Sequence, residues 1–409
     1  MKKNALKSSI LVAVLALVMA LQASAQEKID LQALQRIRKE GLENSKIADL
    51  LVYLCDIYGP RLSESPQYRK AGEWTVGRLK EMGLINAAME SYGTFGRGWE
   101  LQKFYGAMTA PQYMPLIAFP KAWTAGTNGL VKGAPVLLDV KKAADLDKYK
   151  GKLKDAIVLM EGEQPVEMSF SPGASRKSDD DLAKLALAPE PGARPSMAAR
   201  MEEMMARQML AVAKAKFVKD EGAAVLLEPG GGKDGTVFVA SGGTQGKDAP
   251  PALPSVAVAA EQYNRIVRIL RKNVPVMLEI EVQARFTDDD LKGYNVVAEM
   301  PGTDKKLKDE LVMLGGHFDT WHSGTGATDD GAGCAVAMEA LRILQAAGVK
   351  PRRTIRIGLW DAEEQGFVGS RGYVANHFYD RTKKEKKPEY DLLSAYFNFD
   401  NGSGRIRGI

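Results

Sequence analysis

The sequence predicts an α/β protein with a mostly parallel sheet, helices on both faces of it, and an inserted smaller domain of α+β or β type. Three observations predict this. From Tyr294 onwards, short apolar runs alternate with helical patterns, as in sheets covered on both faces. Between about residues 126 and 286, short apolar runs are separated by Gly, Pro and Lys, which indicates a separate small unit. The 409 residues suffice for two globular units.

The first 25 residues read as an export signal. Three lysines within the first seven positions precede an apolar run from Ile10 to Leu21, and Ala23-Ser24-Ala25 follows it. The run is short for a bilayer span, so we weigh a membrane anchor as the weaker interpretation. We expect the mature chain to begin near Gln26 and to be exported to the periplasm or the extracellular space.

Charge and cysteine content exclude several classes of protein. Without the three signal lysines the formal charge falls from +5 to +2, which is too near neutral to indicate nucleic acid or an acidic membrane as partner. Cys55 and Cys334 are the two cysteines, so the chain is no disulfide scaffold. Both lie in apolar helical patterns, and we expect buried free thiols in preference to a bridge.

The chain that follows the export signal is expected to begin with helices. Apolar residues recur at helical spacing from Ile47 to Tyr58, after the candidate N-cap Ser45, and Gly59-Pro60 ends this element. A second helix is predicted over 67–82. We assign residues 26–125 to the N-terminal part of the main domain.

The middle block, residues 126–286, combines strands with helical and irregular segments. Residues 164–195 are polar and rich in Pro and Ser, and are expected to form a mobile surface excursion. Five methionines then follow at helical spacing, and we expect them to pack in a core: Met197, Met201, Met204, Met205 and Met209. Another helix is predicted around 263–270. The predicted strands are 134–138, 156–160, 223–227, 256–259 and the alternating run 278–286.

The last part, residues 287–409, has the pattern of the main sheet. A largely buried helix is predicted over 332–347, because its polar positions form one narrow stripe. A further helix is predicted over 369–378. The predicted strands are 295–300, 311–314, 354–360 and 395–399.

Acidic and imidazole side chains follow these strands, where α/β folds place their active sites. Taken singly, each has a plain structural explanation as a surface residue, an N-cap or a turn. Their joint placement at strand ends favours a common site. We expect His322 to line the same cleft and His377 to be an ordinary helical surface residue. The candidate site residues are His317, Asp319, Asp329, Asp330, Glu363, Glu364 and Asp400.

Such a cluster calls for metal ions. Carboxylates that converge at one edge repel each other unless cations neutralise them. Imidazole with carboxylates is a ligand set that suits Zn²⁺. Two ions roughly 3.5–4 Å apart, bridged by one carboxylate, would satisfy it. Asp319 is placed to accept the free ring N–H of His317 and so to fix its tautomer.

Three motifs resemble the M28 family of di-zinc peptidases. They are Gly315-Gly316-His317-Phe318-Asp319, the loop from Gly326 to Gly333, and the run from Asp361 to Ser370. The sequence of the loop and of the segment around the Glu pair is most similar to the carboxypeptidase Q (plasma glutamate carboxypeptidase) branch. The resemblance implies a zinc-exopeptidase type of sheet, and it makes the middle block similar to a protease-associated domain.

The resemblance also implies roles for the site residues. His317 and Asp400 would bind one zinc, Asp329 would bridge both ions, and Glu364 would bind the second. Glu363 would be the general base that takes a proton from the attacking water. Asp330 would shape the bridging loop. The family also has a fifth ligand, a downstream His, which has no counterpart among the three histidines here. We therefore expect a catalytic domain that is incomplete at its C-terminus and a weakly held second zinc.

The expected function is that of an exported zinc-dependent exopeptidase, an aminopeptidase or dipeptidase acting on peptides. Carboxypeptidase action stays open, as does a binding protein that has lost catalysis. The Asp-Asp-Gly-Ala-Gly loop argues against an M20-type amidohydrolase, and the filled ligand positions argue against the one-zinc glutaminyl cyclase. A stable membrane anchor is not expected, and a homodimer is left open.

Overall fold

The computed structural model describes residues 29–173, 175–187, 198–400, 402 and 404. The predicted signal segment and the predicted start at Gln26 lie outside the described residues. Within the described ranges, no helix is long and apolar enough to cross a bilayer.

The predicted helices and strands have counterparts in the described chain, whereas the long strands Ile85–Thr94 and Gly98–Ala110 were not predicted. The α-helices are Leu31–Glu43, Ile47–Leu51, Pro66–Glu81, Asp179–Ala186, Ala198–Asp220, Ala260–Arg271, Ala332–Ala346 and Val368–His377. The strands are β1 Ile85–Thr94, β2 Gly98–Ala110, β3 Met114–Pro115, β4 Ala118–Pro120, β5 Val131–Gly133, β6 Val136–Leu137, β7 Ile157–Leu159, β8 Val225–Pro229, β9 Ser255–Val258, β10 Met277–Thr287, β11 Lys292–Met300, β12 Leu311–His317, β13 Thr354–Trp360, β14 Tyr379–Asp380, β15 Glu385–Lys386 and β16 Leu393–Asn398.

The main sheet has five strands in the order β1-β11-β13-β12-β16. β12 lies parallel to β13 and to β16, whereas β11 is antiparallel to β1 and to β13. The α/β fold class is confirmed, and within the described residues the pairings divide evenly between parallel and antiparallel. The parallel half matters for the site, because β12, β13 and β16 all end at the same edge.

Helices cover both faces of this sheet, as predicted. On one face, Leu54, Leu79 and Met338 from three helical segments pack with Val296 and Ile357 of the strands. On the other face, the helix Val368–His377 contributes Tyr373 to a smaller core. Alternate residues of β11 point to opposite cores, which is the period-2 pattern of a strand buried on both sides.

The middle of the chain builds two further sheets, ordered β3-β2-β10-β5 and β4-β9-β8-β7-β6. They share one core, which includes Met108, Val258 and Leu278. β2 pairs with β10 along nearly its whole length, from Gly98 opposite Thr287 to Ala110 opposite Met277. The long ladder thus joins a strand before the predicted middle block to the strand that closes it. The assignment of residues 126–286 to an inserted domain stays a prediction.

The helix Ala198–Asp220 shows where one prediction was wrong. Met204, Met205 and Met209 are 63%, 64% and 74% exposed and do not pack in a core. Met197 and the side chain of Met201 lie outside what the structure describes. The helix buries Lys214 and Val218 near its C-terminal end instead. Helical periodicity indicates which residues share a face of a helix, but it carries no information on whether another element covers that face. The excursion predicted just before it includes the helix Asp179–Ala186.

His377 is not an ordinary surface residue. Its Nε2 lies 2.6 Å from Glu90 Oε1 in β1, and its Nδ1 lies 3.2 Å from Glu389 Oε2. These two carboxylates raise the pKa of His377 to about 9. Despite burial, which acts the other way, His377 and Arg356 lower the pKa of Glu389 to about 2. The imidazolium therefore joins β1, the end of the helix Val368–His377 and the loop before β16.

Replacing His377 with Gln should lower stability in a pH-dependent way. The folded pKa is raised above its unfolded value of about 6.5, so the contribution is complete below that pH and lost as pH rises through about 9. We expect a loss of roughly 1–2 kcal/mol at pH 6 and almost none above pH 9. Urea unfolding across this range measures it. Glu90→Gln is the matched partner variant, and a pH-independent difference for both would contradict the prediction.

Candidate active site

The site begins with β12, whose last residue is His317. Because β13 and β16 run parallel to β12, the segments that follow all three strands meet at one edge of the sheet. Gly316 is required here: a Cβ at this position would lie 2.2 Å from Asp330 Oδ2. The absence of a side chain lets the loop that carries Asp329 and Asp330 lie directly against the strand.

Two of the predicted site residues, Asp329 and Asp400, lie beside His317. Its Nε2 lies 2.8 Å from Asp329 Oδ1 and 3.7 Å from Asp400 Oδ1. Each of the three residues offers one possible metal-binding atom, and these atoms lie within 4.8 Å of one another. His317 is 3% exposed, whereas the two carboxylates are open to solvent. An ion bound here would contact a fixed imidazole and two accessible carboxylates.

Asp329 and Asp330 are neighbours with opposite surroundings. Asp330 is fully buried, and its carboxylate accepts hydrogen bonds from the backbone N–H of His317 at 3.1 Å and of Gly333 at 2.9 Å. The Asp329 side chain is 68% exposed and faces His317. The peptide bond between them is cis. Asp330 therefore holds the loop against β12 and against the following helix, and Asp329 is left free to bind.

The contacts of Asp319 differ from the expected ones. The ring Nδ1 of His317 is nearest to the backbone carbonyl of Asp319, at 2.9 Å, and its carboxylate oxygen Oδ1 lies at 3.5 Å. The buried carboxylate mainly accepts from the backbone N–H groups of Glu363 at 3.0 Å and Glu364 at 3.3 Å. Ser63 also donates its hydroxyl to Asp319, at 3.2 Å. One residue thus joins the end of β12 to the Glu pair after β13.

The Glu pair lies partly buried beside this cluster. Glu364 Oε2 accepts a hydrogen bond from the indole N–H of Trp321 at 2.8 Å. Burial, together with the charges of Asp329 and Asp319, raises the pKa of Glu364 to about 7. Burial also raises the pKa of Glu363, and Asp319, Asp400 and Asp329 act in the same direction while His317 opposes them.

The pKa of His317 shows that the site carries an excess of negative charge. Burial by itself would lower the pKa of His317, but Asp319, Asp330 and Asp400 raise it to about 10. A proton on the imidazole is held there by carboxylates that need a positive charge. This demand for a cation, together with one imidazole and several carboxylates, fits the donor set of a zinc site.

The comparisons with known proteins address the same part of the chain. The sequence profile of Peptidase family M28 matches residues 295–406. We call residues 295–406 the M28 domain, after the family profile that they match. Carboxypeptidase Q of Homo sapiens is 34% identical over 131 residues, which are 32% of this chain and 27% of that protein. Aminopeptidase of Pseudomonas aeruginosa (strain UCBPP-PA14) is 39% identical over 107 residues, which are 26% of this chain and 18% of that protein.

The chain therefore spans less than a third of the length of each of these curated relatives. A crystal structure of a Peptidase M28 precursor from Shewanella amazonensis SB2B has a similar fold over a longer range. It superposes with a TM-score of 0.58 at 24% identity and covers 91% of this chain and 74% of that one. At this identity the similarity concerns the fold, and it supports the α/β architecture outside residues 295–406 as well.

Arg61 supports the M28 domain from outside it and was not predicted. Its guanidinium is fully buried and donates to the carbonyls of Phe318 at 2.7 Å, Leu54 at 2.7 Å and Gly326 at 3.3 Å. It thereby fixes both the end of β12 and the start of the loop that carries Asp329. In the sequence, Gly59-Pro60 indicates only the end of a helix, because two of the three carbonyl partners of Arg61 lie 257 and 265 positions along the chain.

His322 connects the M28 domain to the middle of the chain. Its Nε2 donates to the carbonyl of Pro120 at 2.7 Å, and its ring stands edge-on to Trp99 with centroids 5.1 Å apart. Burial lowers the pKa of His322. Cys55 and Cys334 are both buried free thiols, as predicted, and Cys334 donates to the carbonyl of His317 at 3.0 Å.

Proposed function

We propose that this chain is an exported zinc-dependent exopeptidase of the aminopeptidase or dipeptidase kind. The observation that carries the proposal is the convergence of His317, Asp329 and Asp400 in an M28 domain, with possible ligand atoms within 4.8 Å. In this assignment His317 and Asp400 would hold one zinc, Glu364 would hold a second, and Asp329 would contribute its carboxylate to both. Asp319 and Asp330 hold the ligand-bearing segments in place.

Bound zinc would lower the pKa of a water towards ~7 and polarise the scissile carbonyl. The residues of this chain supply the rest. Glu363 takes a proton from the attacking water and delivers it to the leaving amine. Burial raises the pKa of this carboxylate, which makes it a stronger proton acceptor. Asp319 fixes the backbone of Glu363, and so its position.

The charges of the site favour a free amine on the substrate. Because Asp329 and Asp400 are assigned to the metal, the partly buried carboxylate of Glu363 is the acidic group that would attract an ammonium group and repel a peptide carboxylate. A carboxypeptidase instead needs a cation that faces the cleft. Arg61 cannot serve, because its guanidinium is buried and occupied by three backbone carbonyls. Carboxypeptidase action is therefore the second candidate, and the relative named carboxypeptidase Q is the reason to test it.

The test compares a dipeptide with its N-acetylated twin. The protein is expressed from the complete coding sequence, loaded with zinc, and assayed for released amino acid. Cleavage of the free-amine form alone is the expected result. Cleavage of both forms would favour the carboxypeptidase. Binding of zinc without cleavage of either would favour a binding protein on this fold.

A further inference from the structure

Trp321 contacts Glu364, the proposed ligand of the second zinc, directly. It lies four residues after His317 in the loop that leaves β12, and its indole N–H donates to Glu364 Oε2 at 2.8 Å. Among the described residues, Trp321 is the one hydrogen-bond donor to the Glu364 carboxylate. The contact joins two segments that both emerge from the same edge of the sheet.

The ring of Trp321 is held in turn by residues from before the M28 domain. Trp123 stands edge-on to it, with ring centroids 6.2 Å apart and an interplanar angle of 80°. Trp123 is fully buried, and its own indole N–H donates to the carbonyl of Arg97 at 2.9 Å. Trp99 is 1% exposed and donates to the carbonyl of Thr124 at 2.8 Å. We call Trp99, Trp123 and Trp321 the tryptophan cluster.

A hydrogen bond of this kind has a specific consequence for metal binding. A glutamate side chain samples several rotamers when it is free, and an ion must select one of them. A donor that already holds one carboxylate oxygen keeps the side chain in place and leaves the other oxygen for the ion. Such outer partners of metal ligands strongly affect affinity.

We propose that Trp321 is a positioning residue for Glu364, and that Trp123 keeps Trp321 in place. The inference rests on the proposed function, because it assumes that Glu364 binds zinc. It adds that the segment around Trp123, outside the M28 domain, contributes to the metal site. His322, the next residue, gives the same loop a second anchor through the Pro120 carbonyl.

The experiment removes the indole N–H and keeps an aromatic ring. Trp321→Phe should weaken zinc binding at the Glu364 site roughly 10- to 100-fold, as measured by calorimetric titration of the zinc-free full chain. Trp74→Phe is the matched control, because it makes the same substitution in the helix Pro66–Glu81, where the ring stacks on Tyr53 outside the tryptophan cluster. The control should bind zinc like the wild type. Trp321→Leu serves as a second variant, and far-UV circular dichroism of the zinc-free proteins checks that each one folds.

A double-mutant cycle shows whether the effect passes through Glu364. In a Glu364→Gln background, Trp321→Phe should cause no further loss of zinc affinity. An equal further loss in that background would overturn the inference, as would wild-type affinity in Trp321→Phe and Trp321→Leu. If Glu364→Gln itself binds zinc like the wild type, the assignment of Glu364 in the proposed function fails, and this inference fails with it.

Discussion

Replacing Glu363 with Gln is expected to lower kcat by roughly 10²- to 10⁴-fold while the zinc content stays that of the wild type. Gln has nearly the same size as Glu, but its amide cannot accept the proton of the attacking water. Because Glu363 is assigned no metal, the substitution leaves the ligand set of His317, Asp329, Asp400 and Glu364 intact. Steady-state kinetics on a dipeptide, with metal analysis of the same sample, measures both quantities.

The neighbouring residue supplies the control. Glu364→Gln makes the same chemical change one position along, yet we expect it to lower the zinc content, because Glu364 is assigned as a ligand. The two variants should therefore separate loss of the base from loss of the metal. If Glu363→Gln lost zinc and kept its activity per bound zinc, the roles of the two residues would have to be exchanged.

Replacing His317 with Ala should abolish tight zinc binding and, with it, activity. Loss of an outer partner of a ligand typically costs about 10- to 100-fold in metal affinity, and loss of a ligand should cost at least about 100-fold. The change also removes the imidazolium that the surrounding carboxylates stabilise, so Asp329 and Asp400 would repel each other without compensation. Equilibrium dialysis against zinc measures the affinity, and thermal unfolding of the zinc-free protein measures the second effect.

His377→Ala is the matched variant for this experiment. It removes the same side chain from a position whose partners, Glu90 and Glu389, lie outside the cluster. We expect it to leave zinc binding unchanged. Zinc retained at wild-type affinity in His317→Ala would contradict the proposed centre, whatever its effect on activity.

Several parts of the fold follow from local sequence. The strand predicted at 354–360 has the same bounds in the structure, and the helices predicted at 332–347 and 369–378 differ from the observed ones by one residue at an end or at both ends. These segments carry strong apolar periodicity and clear end signals, so local physics sets their limits. The candidate residues His317, Asp329 and Asp400 were also found locally, because each follows a strand or opens a helix.

The contacts that organise the site could not be read from the sequence. Asp319 was expected to serve His317, but its carboxylate mainly holds the backbone of Glu363 and Glu364, more than 40 positions along the chain. Arg61 reaches Phe318 across 257 positions, and Trp321 reaches Glu364 across 43. Periodicity specifies which face of an element is apolar, but it does not specify which distant side chain meets a given polar atom.

Local sequence patterns were enough to predict the fold class, the limits of the strongest helices and strands, and the residue types from which a metal site would be built. Burial and long-range contacts depended on the tertiary structure. They include the exposure of Met204 and Met209, the carboxylate of Glu90 beside His377, and the hydrogen bond from the Trp321 indole to Glu364. The physical reason is that backbone propensity and apolar period act over a few residues, whereas packing and electrostatics act through space between segments that chain folding brings together.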